Sequence, residues 1–102
     1  MYYAYVYTIL VLQMRVDSFE WDVGNNGHIA RHRVTQDEAE EVFDARPYMM
    51  RSRDGRYVAI GQTASGRYLF CVFERTAQAG QIRIITARDA ERSERRLFKR
   101  KR

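Results

Sequence analysis

Glu74, Arg83, Thr86, Arg88 and His32 are the side-chain types that phosphate chemistry uses. A carboxylate can take a proton, an imidazole can take or give one, and a guanidinium fork matches the oxygens of a phosphate. Glu74 is therefore a candidate base. Arg83 and Arg88 are candidate phosphate binders because both fall on or just beyond one apolar run, IRIITAR, and Thr86 in that run could orient a substrate. Arg67 and Arg75 flank the preceding run and could hold a nucleic-acid backbone. The plainer alternative is that Glu74 and Arg75 are solvated charges at a strand end.

His28 and His32 stand four apart, so on a helix they share a side and could act as acid and base or bind a metal. No Cys, Asp or Glu at ligand spacing accompanies them, which favours a structural or ligand-contacting pair over a metal site. No cofactor is expected. Cys71 is the one cysteine; it cannot form an internal disulfide, and within an apolar run it reads as a small core residue in a reducing cytosol.

A hairpin must position the charges. Residues 66–88 hold two runs rich in β-branched and aromatic residues, joined by a polar loop with a glycine. Alternation sets Arg83 opposite Ile82 and Ile84. The register between the runs, and so whether Glu74 and Arg83 share a face, is not fixed by sequence. Upstream, residues 48–53 and 57–63 flank Asp54-Gly55, a strong two-residue hairpin signal, and residues 64–66 turn the chain into the next strand. The result is an antiparallel meander. Residues 68–73 are apolar on both faces, which makes that strand central, with helices on at least one face.

Residues 19–22, FEWD, read as a short first strand with Phe19 and Trp21 on one face. Gly24, Asn25 and Asn26 read as a turn, followed by a short helix over residues 26–32 with Asn26 as its cap. Thr35 and Glu38 form a capping box for the next helix, Val34 can staple against Ala39, and Ala39, Val42 and Phe43 make its apolar face. Asp37, Glu38, Glu40 and Glu41 suit the positive end of that helix, and Pro47 stops it. Asp89 or Thr86 can cap a last helix running to about Lys99, with Glu91 spaced to pair with Arg95. Arg92, Arg95, Arg96, Lys99, Arg100, Lys101 and Arg102 make its end basic. That end is either a solvated face or a surface that tracks phosphates in a salt-dependent way.

A chain of 102 residues, 45% hydrophobic, is one folded domain and not a disordered segment. Its formal charge of +5 favours a polyanion or an acidic partner without choosing between them. Residues 1–13, MYYAYVYTILVLQ, are apolar and uncharged. They are too few to span a bilayer and lack the basic flank and cleavage site of a signal peptide, so no membrane association is expected. They read as an extra strand at a sheet edge, or as an extension before a single domain over residues 14–102.

In their order, these pieces resemble the BrnT toxins of bacterial type II toxin–antitoxin pairs. The resemblance runs through FEWD at 19–22, an Asn and a His leading to ARH at 30–32, and VTQDEAEEVFD at 34–44. It continues through RYVAIGQTASGR at 56–67, FER at 73–75, and IRIITAR at 82–88 with an ER-rich helix behind it. It covers residues 18–99. The resemblance implies an α+β, RelE-like fold: a small antiparallel sheet of about four strands plus a short N-terminal strand, two N-terminal helices and one C-terminal helix. It also implies a cytoplasmic, metal-independent endoribonuclease that stops translation and growth by cutting RNA. The implied partner is a BrnA-like ribbon-helix-helix antitoxin in a heterotetramer that reaches operator DNA only through the antitoxin.

Under this resemblance Glu74, Arg83, Arg88, Thr86 and His32, at the family's RH position, are the catalytic candidates. Arg67, Arg75, Arg95, Arg96 and Lys99 are candidates for RNA contact. Two departures stand out. Arg33 replaces the usual glycine after the histidine, an awkward residue for a left-handed helix end, and Gly24, Asn25 and Asn26 replace basic residues common before the first helix. Trp21, Tyr57 and Tyr68 could stack on bases, although strand spacing favours core. The alternative function is a non-catalytic module that docks a partner, and perhaps DNA, in a repressor complex. A further reading makes the Tyr-rich segment 1–13 a homotypic contact strand.

Overall fold

A computed structural model of the chain describes residues 14–101; the segment 1–13 and the readings placed on it lie outside the described residues. The elements run β1 (Ser18–Glu20), α1 (Val23–Ala30), α2 (Gln36–Asp44), β2 (Tyr48–Arg51), β3 (Arg56–Gln62), β4 (Tyr68–Arg75), β5 (Gln81–Asp89) and α3 (Arg92–Lys101). This is the α+β arrangement expected. The sheet order is β1-β5-β4-β3-β2, with β2 to β5 as the antiparallel meander and β4 at its centre. β1 joins the edge parallel to β5, so the complete sheet is mixed.

Local chemistry accounts for much of this. Asp54 and Gly55 take φ of 57° and 74°, the paired left-handed geometry whose twist matches a two-residue hairpin. Thr35 caps α2 as a capping box: its Oγ1 accepts from Glu38 N at 3.1 Å, and Glu38 Oε1 accepts from Thr35 N at 3.0 Å. Arg33, just before it, adopts φ 59°. A residue with a Cβ thus occupies a conformation that glycine would take without strain.

The first helix begins earlier than the sequence suggests. Asp22, not Asn26, is its N-cap: Asp22 Oδ1 accepts from Asn25 N at 3.1 Å, and Asn25 Oδ1 accepts from Asp22 N at 2.8 Å. The turn at Gly24 to Asn26 does not form, and these residues are helical. The reason is non-local. Buried Asn25 donates its Nδ2 hydrogens to Glu20 O at 2.9 Å and Ile84 O at 3.0 Å, docking the helix on the edge of β5 where β1 stops.

One face of the sheet carries the main core. Leu69, Cys71 and Phe73 of β4, Ile82, Ile84 and Ala87 of β5, and Ala59 of β3 pack against Ile29, Val34, Ala39 and Val42. Phe43 meets Phe73 edge-on at 5.2 Å between centroids, and Tyr57 stacks on Phe73 at 5.5 Å. Trp21 packs on the same cluster, with Nε1 donating to Glu40 Oε2 at 2.7 Å. Tyr57 and Trp21 therefore belong to the core side.

The other face is covered in part by α3. Phe98, 1% exposed, sits on Val58 and Ile60 with Tyr48, Met50, Tyr68, Phe70 and Val72 around it. Burying that ring contributes about 2 kcal/mol. Neither Asp89 nor Thr86 caps α3, because both lie within β5. Glu94 does the work instead: its Oε1 accepts from Glu91 N at 2.7 Å, and its two oxygens take a forked pair of bonds from Arg88, both at 2.9 Å.

Candidate active site

The register decides which charges meet. Glu74 and Arg83 are direct cross-strand partners, so they share a face. Arg56 opposes Glu74 from β3 and Glu20 opposes Arg83 from β1. Four strands thus present one row of alternating charge, Arg56, Glu74, Arg83 and Glu20. Arg56 and Glu20 are exposed, and Glu74 and Arg83 half-buried, so the row is open to solvent.

A bulge keeps the rest of β5 on this side. Val72 opposes Thr86 while Phe73 opposes Ile84, which leaves Ile85 as the extra residue. Strict alternation would have turned Thr86 and Arg88 to the core, where Ile84 lies; the bulge sends Ala87 there instead. Arg83, Thr86 and Arg88 are consequently on one face.

Arg83 is held in a defined plane. Its Nη1 donates to Asp22 Oδ2 at 2.8 Å and Glu20 Oε1 at 3.4 Å, and its Nη2 donates to Asp22 Oδ1 at 3.2 Å. The Arg83 guanidinium and the Asn25 backbone hydrogen bond hold the Asp22 carboxyl below the usual carboxylate range, while the two carboxylates raise the Arg83 pKa. Beside it, Gly24, Asn25, His28, Arg83 and Ile85 line a shallow concavity of about 170 Å³. On the β4 side Arg56 Nε stands 3.7 Å from Glu74 Oε1.

The other candidates are placed differently. Arg88 is committed to Glu94 and lies over the Phe70 ring, 4.2 Å from its centroid. Arg67 bonds Asp89 at 2.7 Å, Glu38 at 3.1 Å, and the carbonyls of Arg33 and His32 at 2.8 and 3.4 Å, joining β4, β5 and the α1–α2 connection. His32 is exposed beyond the end of α1, its ring 6.2 Å from that of His28. Arg75 is exposed and faces away from Glu74, beside a cleft of about 490 Å³ lined by Thr76, Gly80 and Gln81 among others. Thr86 is half-buried, one row from the Glu74–Arg83 pair. Arg95 and Lys99 sit over the Tyr68 ring at 5.9 and 5.5 Å, and Arg96 is exposed on the same helix.

The sequence offers His28 only as the helical partner of His32, in an acid–base or metal pair, and marks no site role for Asp22, Glu20 or Arg56. FEWD carried a signal for Asp22, an acidic residue just before a glycine- and asparagine-rich stretch, whereas Arg56 required the register. Among the described residues no three or more His, Cys, Asp or Glu side chains group to share a metal ion. Burial pushes the Cys71 thiol up to about 12, which leaves it inert. Among the described residues no helix is long and apolar enough to cross a membrane.

Comparison with known proteins agrees with this architecture. The solved structure of the Brucella abortus ribonuclease toxin BrnT has a similar fold, with a TM-score of 0.55 and 17% sequence identity over 78% of this chain and 100% of that one. No curated protein matches the sequence. The sequence model for the ribonuclease toxin BrnT of type II toxin–antitoxin systems matches residues 21–94. With that match spanning most of its length, the chain belongs to the BrnT family of ribonuclease toxins from type II toxin–antitoxin systems.

Proposed function

We propose that this protein is an endoribonuclease toxin that cuts RNA at the charged row on the open sheet face. The observation that carries the reading is the direct pairing of Glu74 with Arg83, with His28 beside Arg83 on its far side. In metal-free cleavage the ribose 2′-oxygen attacks phosphorus and the bond from phosphorus to the 5′-oxygen breaks on the opposite side. A base takes the 2′-hydroxyl proton and an acid gives one to the leaving oxygen. The products are a 2′,3′-cyclic phosphate and a free 5′-hydroxyl.

Arg83 is the centre on which the phosphate rests, and its guanidinium offsets the charge that gathers on phosphorus oxygens in the transition state. Glu74 on one flank takes the proton, with Arg56 fixing its orientation. His28 on the other flank supplies one, one helical turn before the His32 expected from the sequence. Thr86, on the same face, orients the sugar or an adjoining phosphate. Arg95, Arg96 and Lys99 extend this side of the sheet toward the RNA backbone. Arg67 and Arg88 serve the fold, and Arg75 lies on the wrong side of β4 to reach the row.

Membership of a type II family implies an antitoxin. Our reading is a BrnA-like ribbon-helix-helix partner that neutralises the toxin in the cytoplasm within a heterotetramer, with operator DNA reached through the antitoxin. The test is direct: purified full-length chain is incubated with 5′-labelled single-stranded RNA at low salt, with and without EDTA. Fragments ending in 2′,3′-cyclic phosphate in both conditions are expected. No cleavage of any RNA would return the chain to the alternative, a non-catalytic binding module within a repressor complex.

A further inference from the structure

We propose that Asp22, assisted by Glu20, is the positioning residue of the site: it fixes the Arg83 guanidinium so that one free donor fork faces the concavity beside His28. This rests on the ribonuclease reading above. A guanidinium carries five N–H donors in a rigid plane. Asp22 takes the end-on pair, one hydrogen each from Nη1 and Nη2, and Glu20 takes the second hydrogen of Nη1. The Nε hydrogen and the second Nη2 hydrogen remain, and they lie side by side. Two parallel donors are what a phosphate accepts best. The carboxylates therefore leave Arg83 competent and remove its freedom to point elsewhere.

The geometry around this clamp is consistent with an open fork. Gly24 leaves room for the clamping carboxylate, since a Cβ there would crowd Asp22 Oδ1 at 3.2 Å. Asp22 also caps α1, the helix that carries His28. One carboxylate thus sets the relative placement of the arginine that receives the phosphate and the imidazole that protonates its leaving group. Two negative charges near the phosphate also weaken its binding, so the clamp serves orientation at a cost in affinity.

Asp22→Asn separates the two duties, because asparagine caps helices as well as aspartate does but cannot hold a guanidinium by charge with both oxygens. Glu20→Gln is the second variant, at an exposed position with no capping role. Steady-state cleavage of 5′-labelled single-stranded RNA gives kcat and KM for each, with thermal melting recorded alongside. Asp22→Asn is expected to lower kcat by roughly tenfold to a hundredfold with KM unchanged or lower, and Glu20→Gln by a few-fold in the same sense. A merely structural carboxylate would lower the melting temperature without that split. Wild-type kcat in a folded Asp22→Asn protein would overturn the inference, and so would a rise in KM with kcat unchanged. If Arg83→Ala is also fully active, the ribonuclease site itself is misplaced; if Arg83→Ala is dead and Asp22→Asn is not, only the positioning role fails.

Discussion

Arg88 and Glu94 meet fork to fork, with both N–O distances 2.9 Å, and so join the last strand to the first turn of the last helix. The pair is two-thirds or more shielded, and Glu94 also accepts from the Glu91 backbone. Both terminal nitrogens of this guanidinium are thereby engaged in holding strand to helix. Arg88→Ala should therefore destabilise the protein by about 2 kcal/mol, roughly 10 °C in melting temperature, by leaving Glu94 uncompensated. Thermal unfolding followed by circular dichroism checks this, and unchanged stability would free Arg88 for a role in phosphate binding.

The same contacts predict an acid limit. Glu94 is held below its ordinary pKa of 4.5 chiefly by Arg88, Asp89 below 3.8 by Arg67, and Glu38 below 4.5 by the Thr35 backbone and then Arg67. A carboxyl with a depressed folded-state pKa stabilises the fold fully above its unfolded value and loses that contribution as pH falls through the folded one. Stability should hold down to about pH 5 and then fall progressively below about pH 4. Urea midpoints across pH 3 to 7 measure it, and Glu94→Gln should flatten the curve.

Arg67 and Arg75, alike as candidates in the sequence, should behave differently. Arg67 bonds four groups drawn from three parts of the chain, and its loss leaves the Arg33 carbonyl and Asp89 without their partner. Arg67→Ala should cost about 2 kcal/mol, whereas Arg75→Ala, at an exposed strand end, should fall within about 0.5 kcal/mol of the wild type. Chemical denaturation of the two variants side by side decides it.

Arg33 offers a gain. Its φ of 59° is the left-handed conformation, which costs a residue with a Cβ about 1 kcal/mol relative to glycine. Arg33→Gly should raise the melting temperature by several degrees, since the bond from Arg67 goes to the backbone carbonyl and survives the change. A lower melting temperature would show that the arginine side chain holds something the backbone does not.

The features legible in the sequence are those whose causes are local. Thr35 and Glu38 form their capping box within four residues, and Asp54-Gly55 closes its own hairpin. The start of α1 was not legible, because Asn25 caps with an amide where a glutamate or glutamine is usual, and because the partner that buries it is the carbonyl of Ile84. The pairing of Glu74 with Arg83 depended on strand register, and the side taken by Thr86 and Arg88 on a bulge at Ile85 that no alternation pattern reveals. Arg88 and Glu94 are six residues apart across a strand–helix junction, a spacing with no helical or strand meaning by itself. The charges are thus legible by type, while their partners depend on geometry.

The central claim is that RNA is cut over Arg83. The most direct measurement is the single-turnover cleavage rate of Arg83→Ala against the wild type, on 5′-labelled single-stranded RNA, with both proteins shown to be folded at the assay temperature. The account predicts a rate lower by roughly a hundredfold or more, as for removal of a donor that stabilises transition-state charge. Cleavage by Arg83→Ala at the wild-type rate, with the same cyclic-phosphate ends, would contradict it.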